Sequence, residues 1–450
     1  MHRETGSPDS LMTGQYSRNS SCPEGPLVAE TQPPSGPQPR VQSLHRLAPA
    51  LATWLLRKLM ARLGNPPVEI ILWNGESVYT AKAPPRGRII IRNRKTFVRL
   101  LFNPTFAFGD TYSAGDIDVE GNFVDILESL YLALEQADDP GFFGRIVEKL
   151  RVMRRHYSPS ASRESIHHHY DIGNEFYKLW LDERMLYTCA YYPHANMTLE
   201  QAQVAKLDHV CRKLRLSPGE TVVEAGCGWG ALALHMAQHY GVKVRAFNIA
   251  KEQLQYARER AQAAGLSSRV EFVDDDYRNI SGKYDAFVSV GMLEHVGPEN
   301  YAALGKVIDR TLSASGRGLI HSIGRNFPRM MHPWIERRIF PGACPPSIRQ
   351  MLTLFEPFNL SVLDVENLRL HYARTLQHWL DRFEAAAPRV REMFDEKFVR
   401  MWRLYLAGSV ATFLAGELQL FQVVFARVTK NDLPWSRAHL YDESTKQCGT

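Results

Sequence analysis

From Leu51 to Leu63 apolar residues recur at helical spacing (Leu51, Leu55, Leu56, Leu59, Met60, Leu63), with Arg57, Lys58 and Arg62 on the other face and Trp54 beside the stripe. The pattern predicts a basic amphipathic helix, of the kind that lies on an anionic membrane or packs on its own domain. Further on, the β-rich runs Val68-Glu69-Ile70-Ile71-Leu72-Trp73 and Arg88-Ile89-Ile90-Ile91 alternate with Gly and Pro, and a helical period follows over 123–136. Together they predict a small amino-terminal α/β domain over residues 44–140. A charged helical connector is expected at 141–163. From Thr221 strands and helices alternate, with strands expected at 221–225, 243–249, 270–274, 284–290 and 317–322 and helices at 231–240 and 251–264. Such alternation predicts an α/β fold, a parallel sheet with helices on both faces, in a domain spanning 141–430. Two later β-rich runs, 360–365 and 418–428, are expected to close the sheet as a hairpin-like antiparallel pair after a helical insertion. Residues 431–450 read as a carboxy-terminal tail.

Composition narrows the class. The 450 residues, 44% hydrophobic and 23% charged, are enough for two or three domains with buried cores and exclude collagen, coiled coil and wholesale disorder. Residues 1–43, broken by Pro23, Pro26, Pro33, Pro34, Pro37 and Pro39, lack the apolar core of a secretory signal and read as a disordered tail. The net charge of +6, from 54 basic against 48 acidic residues, favours acidic partners mildly, and leaves nucleic acid and anionic lipid both open at this point. The six cysteines (22, 189, 211, 227, 344 and 448) form no CxxC pair, which argues against a disulfide framework or a zinc site and fits a reducing cytoplasm. The greasiest segment, 404–428, is interrupted by Gly408, Gly416, Glu417 and Gln419, so membrane contact is expected to be peripheral.

The first strand of the alternating region ends in Val223-Glu224-Ala225-Gly226-Cys227-Gly228-Trp229-Gly230, and a helix follows at once. Ligands of doubly wound sheets bind at that carboxyl edge. The spacing G-x-G-x-G lacks the third glycine position of the dinucleotide fingerprint, so a smaller nucleoside-like ligand fits better than NAD or FAD. The consecutive His167, His168 and His169 cannot converge on one ion in regular secondary structure, so no metal site is expected. Cys227 is expected to pack rather than react. No lysine-rich arm or basic run interleaved with aromatics suggests nucleic-acid binding.

The Glu-Ala-Gly-Cys-Gly-Trp-Gly block resembles motif I of class I S-adenosylmethionine-dependent methyltransferases, and Cys-Gly-Trp-Gly narrows the resemblance to the cyclopropane fatty acid synthase family. Further blocks agree in order: His169-Tyr170-Asp171-Ile172-Gly173-Asn174, Tyr187-Thr188-Cys189-Ala190-Tyr191-Tyr192, Gly291-Met292-Leu293-Glu294-His295-Val296-Gly297, His321-Ser322-Ile323-Gly324, Ile339-Phe340-Pro341-Gly342, His371-Tyr372-Ala373-Arg374-Thr375 and Gln419-Leu420-Phe421-Gln422-Val423-Val424-Phe425. The resemblance covers roughly residues 158–428 and implies a class I methyltransferase Rossmann-like sheet. It implies cofactor contacts from Tyr187, Thr188, Gly226, Gly228, Gln253, Asp276 and Tyr277. Where many such enzymes end the second strand with an acid for the ribose hydroxyls, this chain has Asn248, and Gln253 is the nearest substitute. Of Asp274, Asp275 and Asp276, at least one is expected to be only a solvated turn.

The same resemblance implies transfer of a methylene group from the sulfonium methyl to a cis double bond of a phospholipid acyl chain. It implies a bound bicarbonate ion as base, held by the side chains of Glu294, His321 and Tyr372 and by main-chain groups at Cys189 and Ile323. A carboxylate, an imidazole and a phenol at one sheet edge are able to poise a small oxyacid as a base without any appeal to the family. Relatives that end the reaction as a methyl branch or an exomethylene, or that methylate a small amine, leave those outcomes open, and a noncatalytic lipid-binding protein is a third reading. Membrane phospholipids with unsaturated chains are the implied partners, on the inner membrane surface of the cytoplasm. A homodimer is expected from resemblance alone. Pro345 is expected to stiffen the loop 341–347. Asp110, within Phe106-Ala107-Phe108-Gly109-Asp110-Thr111-Tyr112, replaces the glutamate more usual in the amino-terminal domain of longer members.

Overall fold

The computed structural model describes residues 49–136 and 172–441. The expected tail at 1–43, the connector at 141–163 and His167, His168 and His169 lie outside the described residues.

In the first described region β1 (Glu69–Ile71), β2 (Ser77–Val78), β3 (Gly87–Ile91) and β4 (Ile117–Gly121) form a sheet in the order β2-β1-β3-β4. Strand alternation turns Ile89 and Ile91 inward, and the helix Phe123–Gln136 packs behind them through Val124, Ile126 and Leu127. The helix Pro49–Arg62 forms as the periodicity predicts, but its buried line is Ala52, Leu56 and Met60. Leu51 and Trp54 stay exposed, and Lys58 lies over the Trp54 ring. The seam is an i, i+4 row with a small residue at its start, which seats the helix closely and rotates Leu51 away from the core.

The second region holds a seven-stranded sheet in the order β10-β11-β9-β8-β5-β6-β7. Its members are β5 (Thr221–Ala225), β6 (Lys243–Asn248), β7 (Val270–Asp274), β8 (Tyr284–Val290), β9 (Leu312–Gly324), β10 (Leu360–Asn367) and β11 (Gln419–Arg427). The central strands β9, β8, β5, β6 and β7 run parallel, and in β5 Val222, Val223 and Ala225 are wholly buried, as a strand covered on both faces requires.

Two expectations are corrected. β9 starts at Leu312 rather than 317, because its first turn of sequence, Ser313-Ala314-Ser315-Gly316, is polar and small and carries no strand signal. The last two strands do pair antiparallel, but the helical insertion, Arg369–Met393 and Glu396–Ala415, lies between them, and β11 slots between β9 and β10 instead of forming a local hairpin. Part of the expected tail also packs. In the short helix Ala438–Tyr441, Leu440 is buried and its carbonyl accepts from Arg212 Nη1 at 3.1 Å.

From β5 the chain runs outward through β6 and β7, then returns to β8 on β5's other side. The loops after β5 and β8 therefore flank a topological switch point, where ligands of such sheets bind. The amino-terminal sheet region is tied to this domain by arginines. Arg400 donates to the carbonyls of Tyr112 (2.6 Å) and Ile117 (2.5 Å). Arg338 forks onto both oxygens of Asp110 at 3.0 and 2.9 Å, which gives the Asp110 replacement a defined partner.

Candidate active site

After β8, Gly291 turns the chain into the 3-10 turn Leu293–His295 and carries Glu294 to the carboxyl edge of the sheet. Its carboxylate is 5% exposed; Oε1 accepts the Ile323 N–H at 2.5 Å, and Oε2 is buried without a partner. Burial pushes this carboxyl up to about 7. The Glu294 carbonyl accepts from Cys344 N at 2.7 Å, so the loop 341–347 is fastened over the turn.

His321 lies on the adjoining strand β9 and is buried. Its Nδ1 faces Gln422 Nε2 at 3.0 Å, across the register pair His321–Gln422 of β9 and β11. With that amide donating, a neutral imidazole carries its proton on Nε2, an atom that is buried with no partner. Burial holds the ring well below its usual range, hence uncharged. The site thus presents one orphaned acceptor, Glu294 Oε2, from the turn after β8, and one orphaned donor, His321 Nε2, from the neighbouring strand β9.

Tyr372 comes from the first turn of the helix Arg369–Met393, its ring 4.7 Å from Phe413 and 6.0 Å from Trp379. One turn on, Thr375 Oγ1 accepts the Ala190 N–H at 3.0 Å, which ties the Cys189 segment to the same helix face. Cys189 is fully buried, and burial pushes its thiol far up, so it is no nucleophile. The Ile323 N–H, expected to hold the anion, is committed to Glu294 and positions that carboxylate.

The expected cofactor residues gather around the glycine loop. Gly226 and Gly228 both have positive φ, and a Cβ on Gly228 would meet nothing within 4 Å, leaving an open cradle at the switch point. Asn248 Nδ2, at the end of β6, reaches the Gly228 carbonyl (3.3 Å) and Gln253 Oε1 (2.8 Å). Asn248 therefore holds Gln253 in place, with the Gln253 amide N–H groups available to a diol. Thr188 is held from below, its Oγ1 accepting from the buried Lys206 Nζ and its carbonyl from Gln203 Nε2, both at 2.9 Å. The Tyr187 hydroxyl pairs with that of Tyr405 at 2.6 Å. Asp276 caps the turn Tyr277–Asn279 and also pairs with Arg278 Nη1 at 2.9 Å, while Arg278 stacks on the Tyr277 ring. Asp275 accepts from Asp276 N and Asn279 Nδ2, whereas Asp274 is exposed. Cys227 is buried and its thiol is pushed up by burial.

Between these two groups stands a wall of rings. Tyr187 lies 5.2 Å from Trp180 and 5.3 Å from Trp379, and Phe340 lies 5.5 Å from Tyr405. The open cradle, the amide pair and the aromatic wall suit a nucleoside carrying a sulfonium.

Comparison with known proteins decides the family. Residues 157–423 match the family model described as Mycolic acid cyclopropane synthetase, more than half of the chain. The chain belongs to this family. It is an S-adenosylmethionine-dependent methyltransferase of the cyclopropane-fatty-acyl-phospholipid synthase type. It is 42% identical over 270 residues (60% of this chain, 69% of the relative) to the cyclopropane-fatty-acyl-phospholipid synthase of Escherichia coli K12. It is 34% identical over 389 residues (83% of this chain, 96% of the relative) to a probable fatty acid methyltransferase of Pseudomonas putida. Among solved structures it is similar to the mycolic acid cyclopropane synthase CmaA1 complexed with SAH and CTAB, at a TM-score of 0.56 and 29% identity, covering 59% of this chain and 98% of that one. Residues 55–137 match a domain of unknown function, DUF7884.

Three residues of the site escaped sequence reasoning as individual roles. Gln422 orients His321 from a strand 101 positions away. Gln203 and Lys206 lie on the apolar face of the helix Leu199–Leu214, among Leu199, Ala202, Leu207, Val210 and Leu214. A lysine and a glutamine inside such a stripe are the signal, since buried polar groups require partners. Burial pulls the Lys206 ammonium down to about 8. For Gln422 the expected result is specific: Gln422→Glu replaces the donor to Nδ1 by an acceptor, draws the imidazole proton away from Nε2, and lowers kcat roughly 10-fold or more with little change in S-adenosylmethionine affinity. Steady-state kinetics with an independent cofactor titration checks this; an unchanged kcat contradicts the tautomer assignment.

Proposed function

We propose that this enzyme adds a methylene group from S-adenosylmethionine across the cis double bond of an unsaturated phospholipid acyl chain, closing a cyclopropane ring, with bicarbonate as the base. The observation that carries the proposal is that the turn after β8 and the adjoining strand β9 each hold one buried atom without a partner, the acceptor Glu294 Oε2 and the donor His321 Nε2. Bicarbonate presents one O–H and two further oxygens, which complements that set, and the Tyr372 phenol is proposed as a third polar group.

When bound, S-adenosylmethionine supplies an electrophilic methyl and bicarbonate supplies a base. The chain's own residues do the rest. An alkene is a weak nucleophile, so the rate depends on holding the π bond in line within a dry pocket. Trp379, Tyr372 and Phe413 exclude water there, and their ring faces stabilise the carbocation left on the acyl chain after methyl transfer. Glu294, as carboxylate, draws on an oxyacid proton while His321 Nε2 donates to an oxygen. Loss of one proton from the added carbon then closes the ring.

The basic helix with exposed Leu51 and Trp54 supports a peripheral role on the cytoplasmic face of an anionic membrane; among the described residues no helix is long and apolar enough to cross one. A second reading, methyl branching of a lipid chain, is favoured by the likeness to the Pseudomonas putida protein over nearly its whole length. The two differ in where the cation loses its proton. In buffer stripped of carbon dioxide, turnover is expected to fall at least ~10-fold and to return on adding bicarbonate. Turnover that ignores bicarbonate would refute the assigned base.

A further inference from the structure

Beyond the catalytic end of β9 the chain stays extended into a single parallel bridge, Arg325–Ser347, and the Arg325 N–H donates to the Pro346 carbonyl at 2.8 Å. The Arg325 side chain is 7% exposed. Its Nε is buried without a partner, and the hydrogen bond that its guanidinium makes is a weak one, from Nη2 to Met331 Sδ at 3.6 Å. Glu417, the acid whose charge acts on Arg325 most, already accepts from Arg329 Nη1 on both its oxygens, at 2.8 and 3.0 Å. Two guanidiniums thus share one carboxylate. The residue after Met331 is His332, whose Nδ1 is also buried without a partner and whose ring is held down to about 4 by burial and by Arg325. A buried guanidinium without a carboxylate of its own is costly, and structures seldom keep one.

We propose that Arg325, with His332 beside it, is the receptor for a phosphate oxyanion, and that the phosphate is the one in the head group of the lipid substrate. Planar guanidinium donors match phosphate oxygens two at a time. The loop in front of the receptor, Asn326-Phe327-Pro328-Arg329, is exposed at Phe327, with Arg329 stacked on that ring at 4.8 Å, a pairing suited to a lipid–water boundary. Alternation along β9 and its extended continuation places His321, Ile323 and Arg325 along one side, with about 7 Å between successive members. Ile323 holds the catalytic Glu294, so the backbone of Arg325 follows that contact by two residues, on the order of 7 Å. A chain entering past Phe327 with its phosphate on Arg325 would thus extend toward Glu294. Naming the head group rests on the phospholipid reading above; the oxyanion receptor does not.

The full-length protein is titrated, by tryptophan emission, with lysophosphatidylglycerol carrying an oleoyl chain, with monooleoylglycerol, and with inorganic phosphate. Wild type is expected to bind the phosphate-bearing lipid at least 10-fold more tightly than the neutral one. Arg325→Met should erase that preference and leave monooleoylglycerol affinity unchanged, and Arg325→Lys should fall between. S-adenosylmethionine affinity serves as the folding control, and Arg325→Lys carries the test if Arg325→Met does not fold. Inorganic phosphate that binds as tightly as the lipid would overturn the head-group assignment in favour of a free-phosphate site. Equal lipid affinities in wild type and variants would overturn the receptor altogether. Because binding is read without ring formation, a protein that selects the phosphate but forms no ring sinks the proposed reaction and leaves this inference standing.

Discussion

Glu294→Gln is expected to lower kcat about 10³-fold while making the protein more resistant to heat at pH 8. Both effects come from one buried group. In the unfolded chain the carboxyl ionises near its ordinary value of 4.5, and in the fold only near 7, because the site strips it of water. Between those values the folded state keeps a proton that the unfolded state has lost. The contribution to stability is therefore intact below pH 4.5 and declines as pH rises to about 7, by about 3 kcal/mol. Glutamine removes that cost, keeps the acceptor for the Ile323 N–H, and leaves an unpaired amide where Oε2 stood, at a cost of about 1–2 kcal/mol. The net gain at pH 8 is about 1–2 kcal/mol, roughly 2–5 °C in Tm, and near pH 4.5, where the charge cost is gone and the amide cost stays, it reverses to a loss of about 1–2 kcal/mol. Melting curves at the two pH values check this. A variant less stable at pH 8 would mean that Glu294 is not held charged against its environment. Wild-type turnover should also fall as pH drops through about 7, where the carboxylate becomes protonated.

The glycine loop separates cofactor binding from folding at positions two apart. Gly230→Ala should unfold the protein readily, since its φ is +79 and the new Cβ would lie 2.6 Å from Phe272 Cζ and 2.8 Å from Ala257 Cβ. Left-handed strain of about 1–2 kcal/mol adds to about 1–3 kcal/mol of overpacking, which together lower Tm by roughly 5–15 °C. Gly228→Ala, at φ +52, places its Cβ in open space and costs only about 1 kcal/mol of stability. That space is where the cofactor is expected, so its affinity should fall at least ~10-fold. Melting curves and cofactor titrations on the two variants should therefore give opposite profiles; a Gly228→Ala protein with normal affinity would move the cofactor off this loop.

Much of this was legible in the sequence because periodicity is local. The strands Thr221–Ala225, Val270–Asp274 and Tyr284–Val290 and the helices Phe123–Gln136 and Ala231–Tyr240 fall where apolar spacing places them. What the pattern hid is non-local. Gln422 meets His321 through antiparallel register across a helical insertion, and nothing near either residue announces it. The insertion itself looked like a prelude to a hairpin because pairing between β10 and β11 leaves no mark on strand composition. Nothing in the sequence singles out Arg325, since an arginine after a strand signals exposure unless its partners are known to be missing. Lys206 and Gln203 interrupt an apolar helix face, a local sign that went unread, and their partner, the Thr188 segment, leaves no mark on that helix.

The most direct test of the central claim is gas chromatography with mass spectrometry of membrane fatty acids from a bacterial host lacking its own cyclopropane synthase, with and without this protein. Ring-containing chains one methylene heavier than the host's unsaturated acids, and resistant to mild hydrogenation, are the predicted result. Methyl-branched or exomethylene chains would show that this site ends the carbocation without closing the ring, and an unchanged fatty-acid profile would contradict the unsaturated phospholipid as substrate.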